Sequence, residues 1–227
     1  MLNLLIMGKP GAGKGTQATR LLDYYQLKHI STGNVYRDEI SKRSLIGIEA
    51  EKYIKKGELV PDDLTNDIVR EILCRKDYPN GFMLDGYPRT ETQAIALNQM
   101  LASLGLALTA CINVDVSDDI LLNRMAGRRV CSTCNATYHI HFHPSVIPGV
   151  CDVCGSALIQ RADDLEESVL NRLRIYNNKT RPLLNFYQKQ GLLQVVDGTR
   201  ATDEVFADIT KRLGEPNHGN DQIEPRN

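Results

Sequence analysis

The sequence lacks any apolar run approaching the roughly 18 residues that a membrane-spanning helix requires. Its opening, Met1-Leu2-Asn3-Leu4-Leu5-Ile6-Met7, lacks the basic segment that precedes a signal-peptide core. Both absences lead us to expect a cytoplasmic protein with no membrane partner, and the opening run reads as a buried strand. Charge of one sign is lacking too: 27 Lys and Arg stand against 28 Asp and Glu, a net charge of -1. Bulk attraction to nucleic acid is therefore not expected, although a local basic cleft remains compatible with this balance. Six cysteines in 227 residues do not make a disulfide framework, and a chain of this length buries a core without one. Cys74 and Cys111 stand alone within apolar segments and read as small buried hydrophobes. No Ser-His-Asp or Cys-His constellation offers itself for nucleophilic catalysis.

Short apolar runs alternate with longer amphipathic stretches. Strands are expected at 2–7, 29–31, 82–84, 110–114 and 193–196, and helices at 16–25, 62–75, 90–104, 117–126, 166–188 and 201–213. That order predicts an α/β fold with a parallel sheet covered by helices on both faces. Thr90 and Gln93 match a Thr-x-x-Gln capping box, and Ser117 is a suitable helix N-cap. Two regions interrupt the alternation: 32–60, which looks like short helices, and 127–164, which looks rich in strands and turns. The tail from 214 to 227 is polar and aperiodic, and disorder is expected there.

The first strand runs into Gly8-Lys9-Pro10-Gly11-Ala12-Gly13-Lys14-Gly15-Thr16. Glycines in such a loop let successive backbone N–H groups face phosphate oxygens, and the next helix adds its positive end. Lys14 supplies a point charge for the β and γ phosphates. A strict P-loop places Ser or Thr directly after the lysine, whereas here Gly15 intervenes and the hydroxyl comes at Thr16. Direct magnesium ligation by that hydroxyl is not expected. Asp85 ends the third apolar strand, where a carboxylate beside a P-loop can organise Mg2+ and its waters; the plainer reading is an Asp opening a turn before Gly86.

Arginines recur near turns: Arg37, Arg89, Arg124, Arg128, Arg129, Arg161 and Arg172. Phosphoryl transfer gives such a set work, because charge spreads over the equatorial oxygens and is met by positioned cations. Arg124 and Arg128, four apart, share a face if the helix around them persists, and Arg129 then points elsewhere. Cys131, Cys134, Cys151 and Cys154 form two C-x2-C pairs separated by Asn135 to Val150, a spacing suited to a closed tetrahedral Zn2+ site. Two disulfides are the alternative, disfavoured in a reducing cytoplasm. His139, His141 and His143 alternate at strand period and read as one hairpin face, not as ligands. A zinc-ribbon module binding nucleic acid would need cations, and between Cys131 and Gln160 there is neither Lys nor Arg.

Five segments taken in order resemble the adenylate kinase family, in its long-lid bacterial form. They are Gly8 to Gln17, Ile30-Ser31-Thr32-Gly33, Leu84-Asp85-Gly86-Tyr87-Pro88-Arg89, Gly127-Arg128-Arg129 and Arg161-Ala162-Asp163-Asp164. The likeness spans residues 1 to about 213 and includes the Gly-Lys-Gly-Thr form of the loop. It implies reversible transfer of a phosphoryl group from MgATP to AMP, giving two ADP. It also implies a five-stranded parallel P-loop core (1–31, 62–126 and 165–213), a small AMP-binding insertion (32–61) and a zinc-stapled lid (127–164). Carried over by motif, Gly11, Ala12, Gly13, Lys14, Gly15, Thr16, Arg128, Thr137, Tyr138 and the backbone near Arg200 would hold ATP. Thr32, Arg37, Glu58, Leu59, Val60, Gly86, Tyr87, Pro88, Arg89 and Gln93 would hold AMP, with Arg161 and Arg172. Arg124, Arg161 and Arg172 would bridge the phosphates. Gln93 could pair its amide with the donor–acceptor edge of adenine, or serve only the capping box. Asp163 and Asp164, beside Arg161, could equally be a surface acidic pair opening the next helix. The implied partners are ATP, AMP and ADP, with no nucleic acid and a monomeric chain.

Overall fold

The computed structural model describes residues 1–161 and 164–216. In chain order the strands are β1 (Leu2–Met7), β2 (Lys28–Ser31), β3 (Gly81–Asp85), β4 (Ala110–Asp115), β5 (Arg128–Cys131), β6 (Thr137–His139), β7 (Leu158–Ile159) and β8 (Leu193–Asp197). The helices are α1 (Lys14–Tyr25), α2 (Thr32–Ser41), α3 (Leu45–Ile54), α4 (Asp62–Cys74), α5 (Glu91–Ser103), α6 (Asp118–Ala126), α7 (Glu166–Ile175), α8 (Pro182–Lys189) and α9 (Thr202–Leu213). Five strands form one sheet in the order β2-β3-β1-β4-β8, with every adjacent pair parallel. This is the expected α/β core.

Strand alternation assigns side chains to the two faces of the sheet. On β1, Leu4 and Ile6 join Leu21 of α1 and Val205 and Ile209 of α9. Leu5 and Met7 turn the other way, onto Leu73 of α4, Leu97 of α5 and Leu183 and Tyr187 of α8. With β1 central and covered on both faces, its carboxyl end is fixed to both apolar layers. In open parallel sheets the crevice beyond those carboxyl ends is where ligands sit.

Two smaller packing units stand apart from these layers. Helices α2 and α3 close on Tyr36, Ala50 and Val60. Strands β6-β5-β7 form a separate antiparallel sheet around Cys131, Tyr138 and Cys151.

Several expectations are corrected. The helix expected over 166–188 is interrupted by a π turn at Tyr176–Thr180, closed by the Arg181 N–H donating to the Tyr176 carbonyl at 2.8 Å. Pro182, which has no N–H to give an α-turn, starts α8 afresh at its first position. Helix α6 ends at Ala126 with Gly127 as its C-cap, so Arg128 lies on β5 and does not share a helix face with Arg124. Ser117 does occupy the N-cap of α6, but its side chain makes no capping bond. The three histidines do not line one strand face, because β6 stops at His139 and the chain turns back. His139 and His143 then face each other across a bridge, and the His139 ring accepts from the His141 and Phe142 N–H groups. Cys111 is fully buried as expected, whereas Cys74, the last residue of α4, is exposed. The start of the tail is also tied down: Tyr25 donates to the Gly214 carbonyl at 2.6 Å and Tyr24 to Glu215 at 2.7 Å. The rest of the expected disorder, at 217–227, lies outside the described residues, as does Asp163.

Leu97 of α5 is fully buried in the second apolar layer. Leu97→Ala should destabilise the fold by about 2–5 kcal/mol through lost burial and the cavity left behind. A denaturant melt reads this; a midpoint within error of wild type would show that the layer does not pack as described.

Candidate active site

The loop after β1 wraps because glycine tolerates its dihedrals: Gly8, Gly11 and Gly13 have φ of 142°, 82° and 91°. A side chain at Gly8 would collide with the Val114 carbonyl 2.5 Å from its Cβ, so the loop lies directly against the end of β4. Helix α1 starts at Lys14 with no capping side chain and no acidic residue in its first turn. Its N–H groups and dipole are thus left to an anionic ligand. Lys14 Nζ donates to the Gly8 and Lys9 carbonyls, 2.8 Å each, which holds the ammonium across the loop mouth. Burial, reinforced by Arg89, Arg172 and Arg128 and opposed by Asp85, draws its pKa down to about 7. The Lys9 ammonium is engaged elsewhere, by Asp118 at 2.6 Å.

Asp85 closes β3 opposite this loop. Burial alone would raise its pKa, but the neighbouring His29 ring, together with Lys14 and Arg89, holds the carboxyl below its ordinary value. His29, whose Nε2 lies 3.6 Å from Asp85, was not singled out by the sequence, since only the β2–β3 register brings the two together. The carboxylate is therefore ionised and faces the cradle, where it can act on a hydrated cation.

Two cavities adjoin at the sheet's carboxyl edge. The larger, about 960 Å³, is lined by Gly11, Lys14, Asp85, Tyr87, Pro88, Arg128 and Arg161 among others. The smaller, about 630 Å³, is lined by Thr32, Glu58, Val60, Thr65 and Gln93 together with Tyr36. Arg37, Leu59, Gly86, Arg89 and Arg172 line both. Of the residues expected at the ATP side, Ala12, Gly13, Gly15 and Thr16 lie on the loop and the start of α1, outside the cavity lining. Thr137 is exposed on β6, and Tyr138 is buried among the cysteines, its hydroxyl accepting from the Asp152 N–H at 2.8 Å. Arg124 donates to the Gly198 carbonyl at 2.9 Å, and the Arg200 guanidinium pairs with Asp208 at 2.6 Å. Neither lines the cleft.

At the smaller cavity Tyr36 and Thr65 meet through their hydroxyls at 2.7 Å, a pairing not read from the sequence. Gln93 forms only half of a capping box. Its N–H donates to Thr90 Oγ1 at 3.2 Å, but its side chain serves Arg89 and Asp62 and does not return to the Thr90 N–H.

The surface reading of Asp164 is overturned. Its side chain is fully buried; Arg128 grips both its oxygens, Nε to Oδ2 at 2.8 Å, and Arg172 lies 3.5 Å away. The carboxylate ties β5 to α7 and holds two cleft arginines in place.

The four clustered cysteines also come together. Their sulfurs lie within 4.8 Å of one another, with Cys131–Cys154 at 3.4 Å and Cys134–Cys151 at 3.6 Å. Zn–S bonds of about 2.3 Å in a tetrahedron put sulfurs about 3.8 Å apart, so the donor set fits a four-thiolate metal site. The Thr133 and Cys134 N–H groups point at the Cys131 sulfur, 3.4 Å each, as suits a thiolate acceptor.

A P-loop, a carboxylate facing it and arginines shared by two adjoining cavities define a phosphotransferase of the P-loop kinase class. The adenylate kinase family profile matches residues 6–192. The chain is 48% identical to an adenylate kinase of Geobacillus sp. (strain WCH70), over 94% of this chain and 99% of that protein. It is 50% identical to one of Symbiobacterium thermophilum (93% and 98% covered) and 49% identical to one of Bacillus pumilus (94% and 98%). The chain belongs to the adenylate kinase family and is a phosphotransferase. No helix among the described residues is long and apolar enough to cross a membrane.

Phosphate oxygens entering the cradle should raise the Lys14 pKa again, so nucleotide binding at pH 8 should take up a proton. Affinity should then fall as pH rises from 7 towards the bound-state pKa, by up to about tenfold per unit. Calorimetry of ATP binding in buffers of different ionisation enthalpy checks this; heats independent of buffer would show that Lys14 does not gain the proton.

Proposed function

We propose that this chain transfers the γ-phosphoryl group of MgATP directly to the phosphate of AMP, giving two ADP. The observation that carries the reading is the pair of adjoining cavities with Arg89 and Arg172 in their common wall. Two nucleotides with their phosphates at that wall would be in line across it, and the cations there meet charge where it develops. No protein nucleophile is needed, because the acceptor phosphate oxygen attacks. The larger cavity takes ATP: loop 8–16 holds the β and γ phosphates, Lys14 neutralises them, and Arg128 and Arg161 approach from the other side. The smaller takes AMP, with Arg37 and Arg89 on its phosphate and Thr32 and Gln93 towards its base. Mg2+ arrives with ATP and withdraws charge from its phosphates; Asp85 is placed to hold its waters. Arg124, Thr137, Tyr138 and Arg200 would reach the ATP only after segments move relative to the arrangement described.

The domain reading rests on the same packing. Residues 32–61 form the AMP-binding insertion and 127–164 the lid, upon a core of 1–31, 62–126 and 165–213. The lid's four cysteines hold a structural Zn2+, since four thiolates leave no position for water. We take the protein to act as a cytoplasmic monomer without nucleic-acid partners. The cysteine segment offers no cation to a phosphate backbone.

Separate reactions of MgATP with AMP, UMP, CMP and GMP should give rapid ADP formation with AMP alone. Rapid turnover with another monophosphate would overturn the base assignment, and none with any acceptor would overturn the reaction. Arg128→Ala should lower turnover at least about tenfold in a folded protein; near-normal turnover would remove Arg128 from the machinery. Complete chelation, verified by metal analysis, should lower the melting temperature, because so small an apolar cluster relies on its metal. An unchanged melt would show that the cysteines do not staple the lid.

A further inference from the structure

The amide of Gln93 is almost fully buried, and its two ends are distinguishable by their partners. The Arg89 N–H, which can only donate, meets Oε1 at 2.7 Å. Asp62, whose carboxylate can only accept, meets Nε2 at 2.7 Å. Turning the amide over would set N–H against N–H at Arg89 and oxygen against carboxylate at Asp62. Asp62 is itself held by Thr90, whose hydroxyl donates to its other oxygen at 2.7 Å. Asp62 does not line the AMP-side cavity; Gln93 does.

We propose that Asp62 is a positioning residue for acceptor-base specificity: it locks the Gln93 amide in the orientation that reads adenine and rejects 6-oxopurines. This rests on the proposal that Gln93 faces the acceptor base. A primary amide has two acceptor positions on its oxygen and two hydrogens on its nitrogen. With one of each taken by Arg89 and Asp62, a single acceptor and a single donor are left for the base. Adenine offers an N6 hydrogen and the N1 acceptor, which match that pair. Hypoxanthine and guanine offer O6 and an N1 hydrogen, the reverse order, and would need the amide turned over. Part of the discrimination thus resides in a carboxylate that does not line the cavity, and the rest in the Arg89 N–H.

The test compares AMP with IMP as acceptors for full-length wild type, Asp62→Asn and Asp62→Ala. Asparagine is nearly isosteric and can present either its oxygen or its NH2 to Gln93, so it tolerates both amide orientations at its own end and leaves the Arg89 N–H to hold the amide alone. In both variants the AMP-to-IMP ratio of kcat/KM should fall by about tenfold, the effect of one lost charge-assisted hydrogen bond. KM for AMP should rise while KM for ATP stays unchanged. Each ratio is measured within one preparation, so partial loss of folded protein cancels. Loss of both acceptors by the same factor, or an unchanged ratio, would overturn the proposal and leave Asp62 a support for α4 and α5. Gln93→Ala separates this from the reading beneath it. If it leaves KM for AMP and the AMP-to-IMP ratio untouched, Gln93 does not face the base and both readings fall. If it shifts them while Asp62→Asn does not, only the role of Asp62 fails.

Discussion

The constraint on which the active site depends is the cost of gathering cations where water is scarce: each loses hydration, and each then feels its neighbours. Lys14, Arg89, Arg128 and Arg172 line one cavity, and burial first, then the neighbouring arginines, draw the lysine down to about 7. Such a cluster persists only if something holds it open. The loop carbonyls of Gly8 and Lys9 hold Lys14, and Asp164 holds Arg128 and Arg172 from a fully buried position. Asp85, kept ionised by His29 and its cationic neighbours, balances the loop side. The surroundings suit multiply charged phosphates, which bring the negative charge that these buried cations lack.

That arrangement follows from the sheet. Strand β1 is central and packed on both faces, so the loop it releases cannot drift. Its neighbours β3 and β4 supply Asp85 and the Val114 carbonyl at the same edge. The arginines come from separate elements, β5 and α7 among them. Their convergence is therefore tertiary, and it needs the buried carboxylate between them.

How much of this could be read beforehand depended on whether the signal was local. Strand runs, the glycine loop and the paired cysteines are written in neighbouring residues, and the core strands appear within a residue or two of expectation. Local signals also misled where packing decides. The period of the three histidines suggested a continuous strand, but the chain turns after His139. The amphipathic stretch over 166–188 concealed a π turn set by Pro182. Asp164 resembled a helix-opening surface acid because nothing near it in sequence reveals that Arg128, thirty-six positions earlier, encloses it. Likewise His29 becomes relevant only through strand register, and Asp62 only because α4 and α5 start side by side. Motifs reported which chemistry was present; long-range contacts determined how each group is aimed.

The cysteine-bearing segment has one further implication. From Cys131 to Gln160 it carries no lysine or arginine, while Arg128 and Arg161 stand at its two ends, next to the core. Because the potential of a charge falls with distance and is screened within about 8 Å at physiological salt, this segment's positive field over the cleft comes from its roots. Its outer reaches, with exposed Phe142, Val146 and Val153, contribute shape but no positive side chain. Sequence change there is free to tune how firmly this small sheet holds together while the arginines lining the cleft keep their strength.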